Sequence, residues 1–177
     1  MGEWEIVNKD YADKLVAQAL ELGAAHAVAF EIGDIVFDRR TILKCMFGCA
    51  DWGRGHTCPS RPGSLTLEQY EETFRKYRWG VMIHAHDKRT TQRVSFQLES
   101  NAFVDGFYFA FSLCDCALCK ECAGFTGEPC RNVKMARPAF HSVGIDVFAT
   151  ARKFGLPIYT LKDDTQEQNW YSAVFVE

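Results

Sequence analysis

The sequence lacks several features that would assign it to a familiar class of protein. No run of about 18 uncharged apolar residues occurs in the 177 residues, so no membrane-spanning helix is predicted. Residues 1–10 mix acidic and basic side chains and contain no apolar core, which argues against a secretory signal and favours a cytoplasmic protein. An excess of basic residues is absent too. The net charge of −3 argues against general binding to nucleic acid.

Motifs for common cofactor and hydrolase chemistry are also missing. The sequence contains no Gly-x-Gly-x-x-Gly, no Gly-x4-Gly-Lys and no Gly-x-Ser-x-Gly. Binding of dinucleotides or nucleoside triphosphates through these loops, and catalysis by a serine nucleophile, therefore have no support.

Cysteine is the unusual component, and its distribution is more informative than its number. The chain has 8 cysteines, and none lies outside residues 45–130. A chain of this length can build a core without disulfides, so closely spaced cysteines in a reducing compartment indicate metal or redox chemistry. They form two groups: Cys45, Cys49 and Cys58, and then Cys114, Cys116, Cys119, Cys122 and Cys130.

The second group has the more specific spacing. Cys116, Cys119 and Cys122 are each separated by two residues, and Cys130 follows Pro129 further along. Iron–sulfur proteins use this spacing to wrap three corners of a cubane cluster, with a remote fourth cysteine beside a proline. Structural zinc sites prefer two separated Cys-x2-Cys pairs. The second group therefore predicts a metal site and favours iron–sulfur over zinc.

The first group is compatible with several arrangements. Its spacing differs from the Cys-x3-Cys-x2-Cys of radical S-adenosylmethionine enzymes, because Cys58 comes too late. Cys45, Cys49 and Cys58 could hold a second cluster completed by Cys114 or His56, a cluster with one open iron, or part of a single site shared with the second group. Zinc that merely pins the loop is the alternative.

Other polar residues near the cysteines suggest supporting roles. His56 lies inside the first group, whereas His84 and His86 are interpreted as polar positions on one face of a strand, and His26 and His141 as structural. Five basic residues could stabilise a reduced cluster or dock an acidic partner. They are Arg54, Lys120, Arg131, Lys134 and Arg137. Three aromatic residues are expected to shield the metal from water: Phe47, Trp52 and Phe125.

Hydrophobic periodicity predicts a single domain over residues 1–177 of α/β (or α+β) class, with a mixed sheet and flanking helices. The cysteine groups fall in two loops, 41–62 and 113–138. Asp10 and Ser64 are the expected N-caps of the first two helices. The predicted helices are 10–22, 64–78, 91–103 and 145–153, and the predicted strands are 25–32, 34–38, 79–85, 106–113, 156–161 and 170–176.

Three segments of the chain resemble a bacterial and archaeal family of predicted metal-binding proteins, a domain of unknown function. They are CMFGCADWGRGHTCPSRP, CALCKECAGFTGEPCRNVKMARPAF and GIDVFATARKFGL, and the likeness spans about residues 25–155. The resemblance implies a cysteine-ligated centre, a [4Fe-4S] cluster, but no established reaction. This sequence has Trp52 and Ser60 where the family has Tyr and Pro, and Cys114 is additional to its pattern. The implied ligands are Cys45, Cys49, Cys58, Cys116, Cys119, Cys122 and Cys130.

These observations lead to three hypotheses. The leading one is an iron–sulfur protein with one or two [4Fe-4S] clusters, which serves electron transfer or an accessory redox function for a partner protein. Cys116, Cys119, Cys122 and Cys130 would hold one site, and the first group, with or without Cys114, the other. The second hypothesis is a zinc-stabilised protein-interaction module. The third is an enzyme that uses an open cluster iron for sulfur or small-anion chemistry.

Overall fold

A computed structural model describes residues 9–163 and 165–177, so most of the segment 1–10 considered above lies outside the described residues. Within them, helices and strands follow in this order: α1 (Lys9–Glu21), β1 (His26–Glu31), α2 (Thr41–Gly48), α3 (Leu67–Phe74), β2 (Trp79–Ala85), α4 (Lys88–Val104), β3 (Phe111–Cys114), α5 (Val147–Lys153) and β4 (Trp170–Phe175). Short 3-10 helices cover Ile32–Asp34, Ala123–Thr126 and Phe140–Val143. No helix in this part of the chain is long and apolar enough to cross a membrane.

The four strands form one sheet in the order β1-β2-β4-β3, and every neighbouring pair is antiparallel. The α+β class is therefore confirmed, but the expectation of a mixed sheet is wrong. β4 comes last in the chain and inserts between β2 and β3, running opposite to both. Periodicity identifies strands but contains no information on the direction of their neighbours, which depends on pairing across the whole chain.

Alternating residues of the central strands serve two separate cores. Val81 and Ile83 of β2 lie under α1 and α4, and Met82 faces the opposite side. That second core contains Phe74 of α3 and residues of the 3-10 helix Phe140–Val143 and of α5. Both faces of β2 are thus covered, and all seven of its residues are buried. The cysteine segments lie beside the second core.

The strand predicted over 106–113 is observed only as Phe111–Cys114, and three further predicted segments have a different structure. Residues 34–38 form no strand: the chain makes the 3-10 helix Ile32–Asp34, and Phe37 forms one isolated bridge with Ile145. Residues 156–161 pair with no strand either, because Pro157 has no amide hydrogen and its carbonyl instead accepts from the Tyr171 hydroxyl at 2.5 Å. The loop predicted over 41–62 begins with the helix α2, since its glycines start only at Gly48.

The helix starts show what capping rules capture locally. α1 and α5 are confirmed, although Asp10 lies in the first turn of α1 rather than before it. α3 is capped by Thr66, whose hydroxyl accepts from the Gln69 amide at 3.3 Å, and not by Ser64. Asp87 caps α4, which begins three residues before the predicted start and ends with Val104.

Candidate metal centre

The first cysteine segment, residues 41–62, combines a helix with a chain of turns. Cys45 lies on α2 and is 5% exposed, and Cys49 is the residue directly after that helix. Cys58 lies in the turns that follow. Its sulfur accepts a hydrogen bond from the Gly53 amide at 3.2 Å and contacts the Ser60 hydroxyl at 3.0 Å. Donors directed at a sulfur stabilise its thiolate form, which is the form that binds metals.

The second cysteine segment, residues 113–138, leaves the sheet at the end of β3. The Cys114 amide donates to the carbonyl of Pro138 at 3.0 Å, so the segment begins and ends side by side. Between these points the chain turns repeatedly and contains the short helix Ala123–Thr126. The side-chain amide of Asn132 donates to the Cys119 sulfur at 3.1 Å. This segment therefore also provides a hydrogen bond to one of its own sulfurs.

Polar side chains on α4 anchor the second segment. Gln92, Ser95 and Glu99 are spaced at i, i+3 and i+7, which places them on one face of the helix. Gln92 Oε1 accepts from the Ala117 amide at 2.7 Å, and Glu99 accepts from Arg137 Nε at 2.9 Å. Both members of the Glu99–Arg137 ion pair are only 12% exposed. The helix thus holds the segment close to both of its ends.

The two cysteine segments contact each other directly. His56 Nε2 lies 2.7 Å from the carbonyl of Glu128. A carbonyl can only accept, so Nε2 is the protonated nitrogen, and Nδ1 accepts from the guanidinium of Arg61. At Gly124 a Cβ would come within 2.3 Å of the Arg54 carbonyl oxygen, so only glycine allows this approach of the two backbones.

One cavity of about 630 Å³ lies between the two segments. Its wall includes residues of α2, the start of α4 and both segments. Seven of the eight cysteines line it: Cys45, Cys49, Cys58, Cys116, Cys119, Cys122 and Cys130. The structure therefore brings together two groups that lie far apart in the sequence, and it leaves out Cys114.

The thiols line the same cavity, but their sulfur atoms do not surround a common metal position. Across residues 9–163 and 165–177, no three His, Cys, Asp or Glu side chains are close enough to hold a metal ion as they stand. Cys49 and Cys116 are exposed, and Cys58, Cys119, Cys122 and Cys130 are partly exposed. Ligation would therefore require side-chain movements within the cavity.

The electrostatics of Cys45 bear on whether a cation fits here. Burial is the main cause that raises the pKa of the Cys45 thiol to about 11; the neighbouring Cys49, Cys58 and Asp115 add to this shift, and a hydrogen bond with Ser142 opposes it. Several groups that become negative on deprotonation therefore surround a poorly solvated sulfur. A metal cation relieves this repulsion and deprotonates coordinating thiols outright. The donor set is soft and rich in sulfur, which suits zinc, copper(I) or an iron–sulfur cluster better than magnesium or calcium.

Cys114 has a different environment. It is 1% exposed at the end of β3 and does not line the cavity as the structure describes it. Burial is the main cause that raises the pKa of its thiol to about 12, with smaller contributions from Cys116 and Asp115 and partial opposition from Ser95 and Arg137. A buried neutral thiol of this kind behaves as a small apolar side chain.

The histidines divide between the cavity and the sheet. His56 and His141 line the cavity, but both ring nitrogens of His56 are engaged by Glu128 and Arg61. His26 and His84 belong to the sheet, where their Nδ1 atoms lie 2.9 Å apart. His84 also contacts Asn169 through Nε2 at 2.8 Å. The prediction that His84 is a polar strand position fits its place near the end of β2.

The basic and aromatic residues predicted near the metal occupy three kinds of position. Lys120 and Arg131 line the cavity, as do Trp52 and Phe125. The Arg54 guanidinium stacks on the ring of Phe125 at 4.5 Å and so packs the first segment onto the second. The predicted shielding role of Phe47 is wrong, since 81% of this residue is exposed and it does not line the described cavity.

Sequence reasoning missed Gln92, which contacts the second segment from α4, and Asn132, which lies within that segment and donates to Cys119. Gln92 is 3% exposed, and its Nε2 has no hydrogen-bond acceptor among the described residues. A buried unsatisfied donor costs about 1–3 kcal/mol, so an acceptor supplied by a bound group would relieve it. The sequence did contain a signal that could have identified Gln92. Gln92 and Ser95 lie on the same helix face as Val94 and Leu98, and polar side chains on a face that packs against the core indicate a specific hydrogen-bonding role.

Taken together, these features define a cysteine-rich α+β domain with a thiol-lined cavity suited to a soft metal. Residues 28–176 match the family described as predicted metal-binding protein (DUF2284), and the chain belongs to this family. The resemblance noted from the cysteine segments is thereby confirmed, and with it membership of a family of predicted metal-binding proteins. Comparison with curated proteins and comparison with solved structures each give no match.

Proposed function

We propose that this protein holds one or two [4Fe-4S] clusters in the cavity between its cysteine segments and serves electron transfer or an accessory redox function. The observation that carries the proposal is the convergence of seven cysteines on one cavity. One cluster would be ligated by Cys116, Cys119, Cys122 and Cys130. A second cluster would be ligated by Cys45, Cys49 and Cys58, or these three would complete the ligands of a single shared centre.

The cysteine spacing favours iron–sulfur over zinc, and hydrogen bonds to the sulfurs are compatible with either centre. The spacing Cys116-x2-Cys119-x2-Cys122 is the one that wraps a cubane cluster. In addition, Cys58 and Cys119 accept hydrogen bonds from Gly53 and Asn132. Such bonds tune the reduction potential of a cluster, and a bound cluster would supply one-electron redox chemistry.

The position of the cavity supports exchange of electrons with a partner protein. Cys49 and Cys116 are exposed, so a centre bound there would lie near the surface. Cations at Lys120 and Arg131 line the same cavity and would favour an acidic partner and a reduced centre. A reducing compartment such as the cytoplasm would keep the unpaired thiols available for ligation.

Anaerobic purification followed by metal analysis, acid-labile sulfide assay and visible and EPR spectroscopy tests the proposal. We expect a brown protein that contains iron and sulfide in equal amounts. An EPR signal should appear when the cluster is reduced by one electron. Zinc near one equivalent without visible absorption would overturn it in favour of the zinc-stabilised interaction module. A protein that binds neither metal after reconstitution would overturn both.

A second candidate is an enzyme with an open cluster iron for sulfur or small-anion chemistry. It is favoured by the count of seven cysteines at the cavity, since eight thiolates would close two clusters and seven leave one iron corner free. Mössbauer spectroscopy of the reconstituted protein distinguishes the two. A unique iron site that responds to added cyanide favours the enzyme, and equivalent, unresponsive sites favour the electron carrier.

A further inference from the structure

The side-chain amide of Gln92, on α4, is deeply buried, and one of its two polar atoms lacks a hydrogen bond to any described residue. It is 3% exposed, and its Oε1 accepts from the backbone amide of Ala117 at 2.7 Å. Its Nε2 has no acceptor among the described residues. Gln97, on the same helix, is exposed and donates to Asn101 at 2.9 Å. The unsatisfied Nε2 of Gln92 is therefore a consequence of its buried position and is not common to the glutamines of this helix.

The orientation of this amide follows from its partner. The Ala117 amide can only donate, so the oxygen of Gln92 must face it and the nitrogen is left over. Rotating the amide by half a turn would set two donors against each other. Oε1 and Nε2 are bonded to the same carbon, so Nε2 lies close to the Ala117 backbone. Gln92 does not itself line the thiol cavity. It contacts the loop of Cys116, Ala117 and Leu118 through the Ala117 amide. All three of these residues line the thiol cavity.

We infer that Gln92 is a positioning residue of the metal centre: its Oε1 holds the Ala117 amide, and its Nε2 donates a hydrogen bond to a metal-bound sulfur. The candidate acceptor is the thiolate of Cys116, the neighbour of Ala117 in the chain. The inference rests on the proposed function, because it needs a thiolate-ligated metal in the cavity. It adds a residue 24 positions before Cys116 that belongs to neither cysteine segment.

The chemistry accounts for the residue type. A thiolate sulfur accepts hydrogen bonds, and partners of this kind orient metal ligands and typically change metal affinity by 10–100-fold when lost. Glutamine supplies an acceptor and a donor from one rigid group, so one side chain can fix both the backbone and the sulfur. Glutamate would keep the acceptor for Ala117 but present a second negative charge where the donor is needed.

Cobalt(II) titration of the anaerobic protein tests the inference, with absorption in the thiolate-to-cobalt charge-transfer region as the measured signal. We expect Gln92→Met to lower the cobalt(II) affinity by about tenfold and to move the charge-transfer band to longer wavelength. Gln92→Glu should lower the affinity at least as much. The matched control Gln97→Met should behave like the wild type.

A measurement on the unmutated protein covers the case in which the variants do not fold. When ¹¹³Cd(II) fills the centre, one Gln92 Nε2 proton should move downfield and show scalar coupling to the cadmium. An unchanged Gln92 side-chain amide, or an unchanged charge-transfer band in folded Gln92→Met, would overturn the inference alone. Failure of the wild type to bind cobalt(II) and cadmium(II) would also overturn the inference, whereas the proposed function is tested separately by the iron and sulfide analysis.

Discussion

The Nε2–H of His56 donates a hydrogen bond of 2.7 Å to the carbonyl oxygen of Glu128, which joins the two cysteine segments beside the cavity that His56 lines. His56 lies between Cys49 and Cys58, whereas Glu128 lies between Cys122 and Cys130. The bond therefore links a residue just before the last cysteine of one group to a residue just before the last cysteine of the other. It gives the proposed centre a support that does not itself depend on metal.

Replacing His56 with alanine should weaken metal binding while leaving every cysteine in place. Without the bond to Glu128 the two segments lose a fixed spacing, and we expect the cobalt(II) affinity to fall by about tenfold. Competition with a chelating dye measures this change. His86→Ala provides the control, because His86 is exposed and lies outside the cavity. Equal affinities in the two variants would show that the segments keep their spacing without His56.

Adding one methyl group at Gly124 should disturb the same contact sterically. A Cβ at this position would come within 2.3 Å of the Arg54 carbonyl oxygen, and relieving such overlap costs about 1–3 kcal/mol. We expect Gly124→Ala to lower the free energy of unfolding in urea and the metal content together. At Gly33, which does not line the cavity, a Cβ meets nothing within 4 Å, so Gly33→Ala is the matched control. A stable, fully loaded Gly124→Ala protein would contradict this reading of the contact.

Two cysteines in the same segment should differ sharply when changed to serine. Cys119→Ser removes a sulfur that lines the cavity, and we expect it to lose most of the metal. Cys114→Ser changes a buried thiol outside the cavity, and we expect it to retain metal at the wild-type stoichiometry. Metal and sulfide analysis after reconstitution measures both. Loss of metal in folded Cys114→Ser would make Cys114 an eighth ligand.

The ion pair between Glu99 and Arg137 should matter more for stability than ion pairs on the surface. Each side chain is 12% exposed, and Glu99 also accepts from the Ser112 amide at 2.7 Å. Glu99→Gln leaves the Arg137 charge buried without compensation, which costs about 3 kcal/mol. Asp13→Asn breaks the exposed pair with Lys9 and should cause no measurable change. Urea unfolding curves at pH 7 compare the two variants.

Stability should fall as the pH drops below about 6.5, and His84 should account for part of the loss. Burial lowers the pKa of His84 from 6.5; His86 and His26 lower it further, while Asn169 and Glu167 oppose the shift. The unfolded chain therefore takes up a proton at a pH where folded His84 stays neutral, so protons favour unfolding until the pH reaches the lower folded pKa.

Urea unfolding at pH 7.5 and pH 5.0 measures this dependence. We expect His84→Gln to reduce the difference between the two pH values, whereas His86→Gln, at an exposed position, should retain most of it. An undiminished difference in folded His84→Gln would mean that other groups cause the loss.

Local patterns were sufficient for the elements that depend on neighbours in the chain. The strand Trp79–Ala85 is an uninterrupted apolar run and was predicted with its observed bounds. α1, α4 and α5 follow from helical spacing, and the Cys116-x2-Cys119-x2-Cys122 spacing identified the second cysteine segment. Local patterns could not show which strands pair with each other in the sheet. The position of β4 between β2 and β3 depends on contacts between residues more than 50 positions apart.

By itself, the sequence showed two groups of cysteines, predicted loops for them in a domain of α/β or α+β class, and indicated a chemistry that suits a soft metal. Only the tertiary structure decided that Cys45, Cys49 and Cys58 share one cavity with Cys116, Cys119, Cys122 and Cys130 while Cys114 faces the core. The physical reason is the distance along the chain between the residues that interact. Ligand spacing is set by a few consecutive residues, whereas the meeting of the two segments depends on α4, Gly124 and His56, whose partners are distant in the chain.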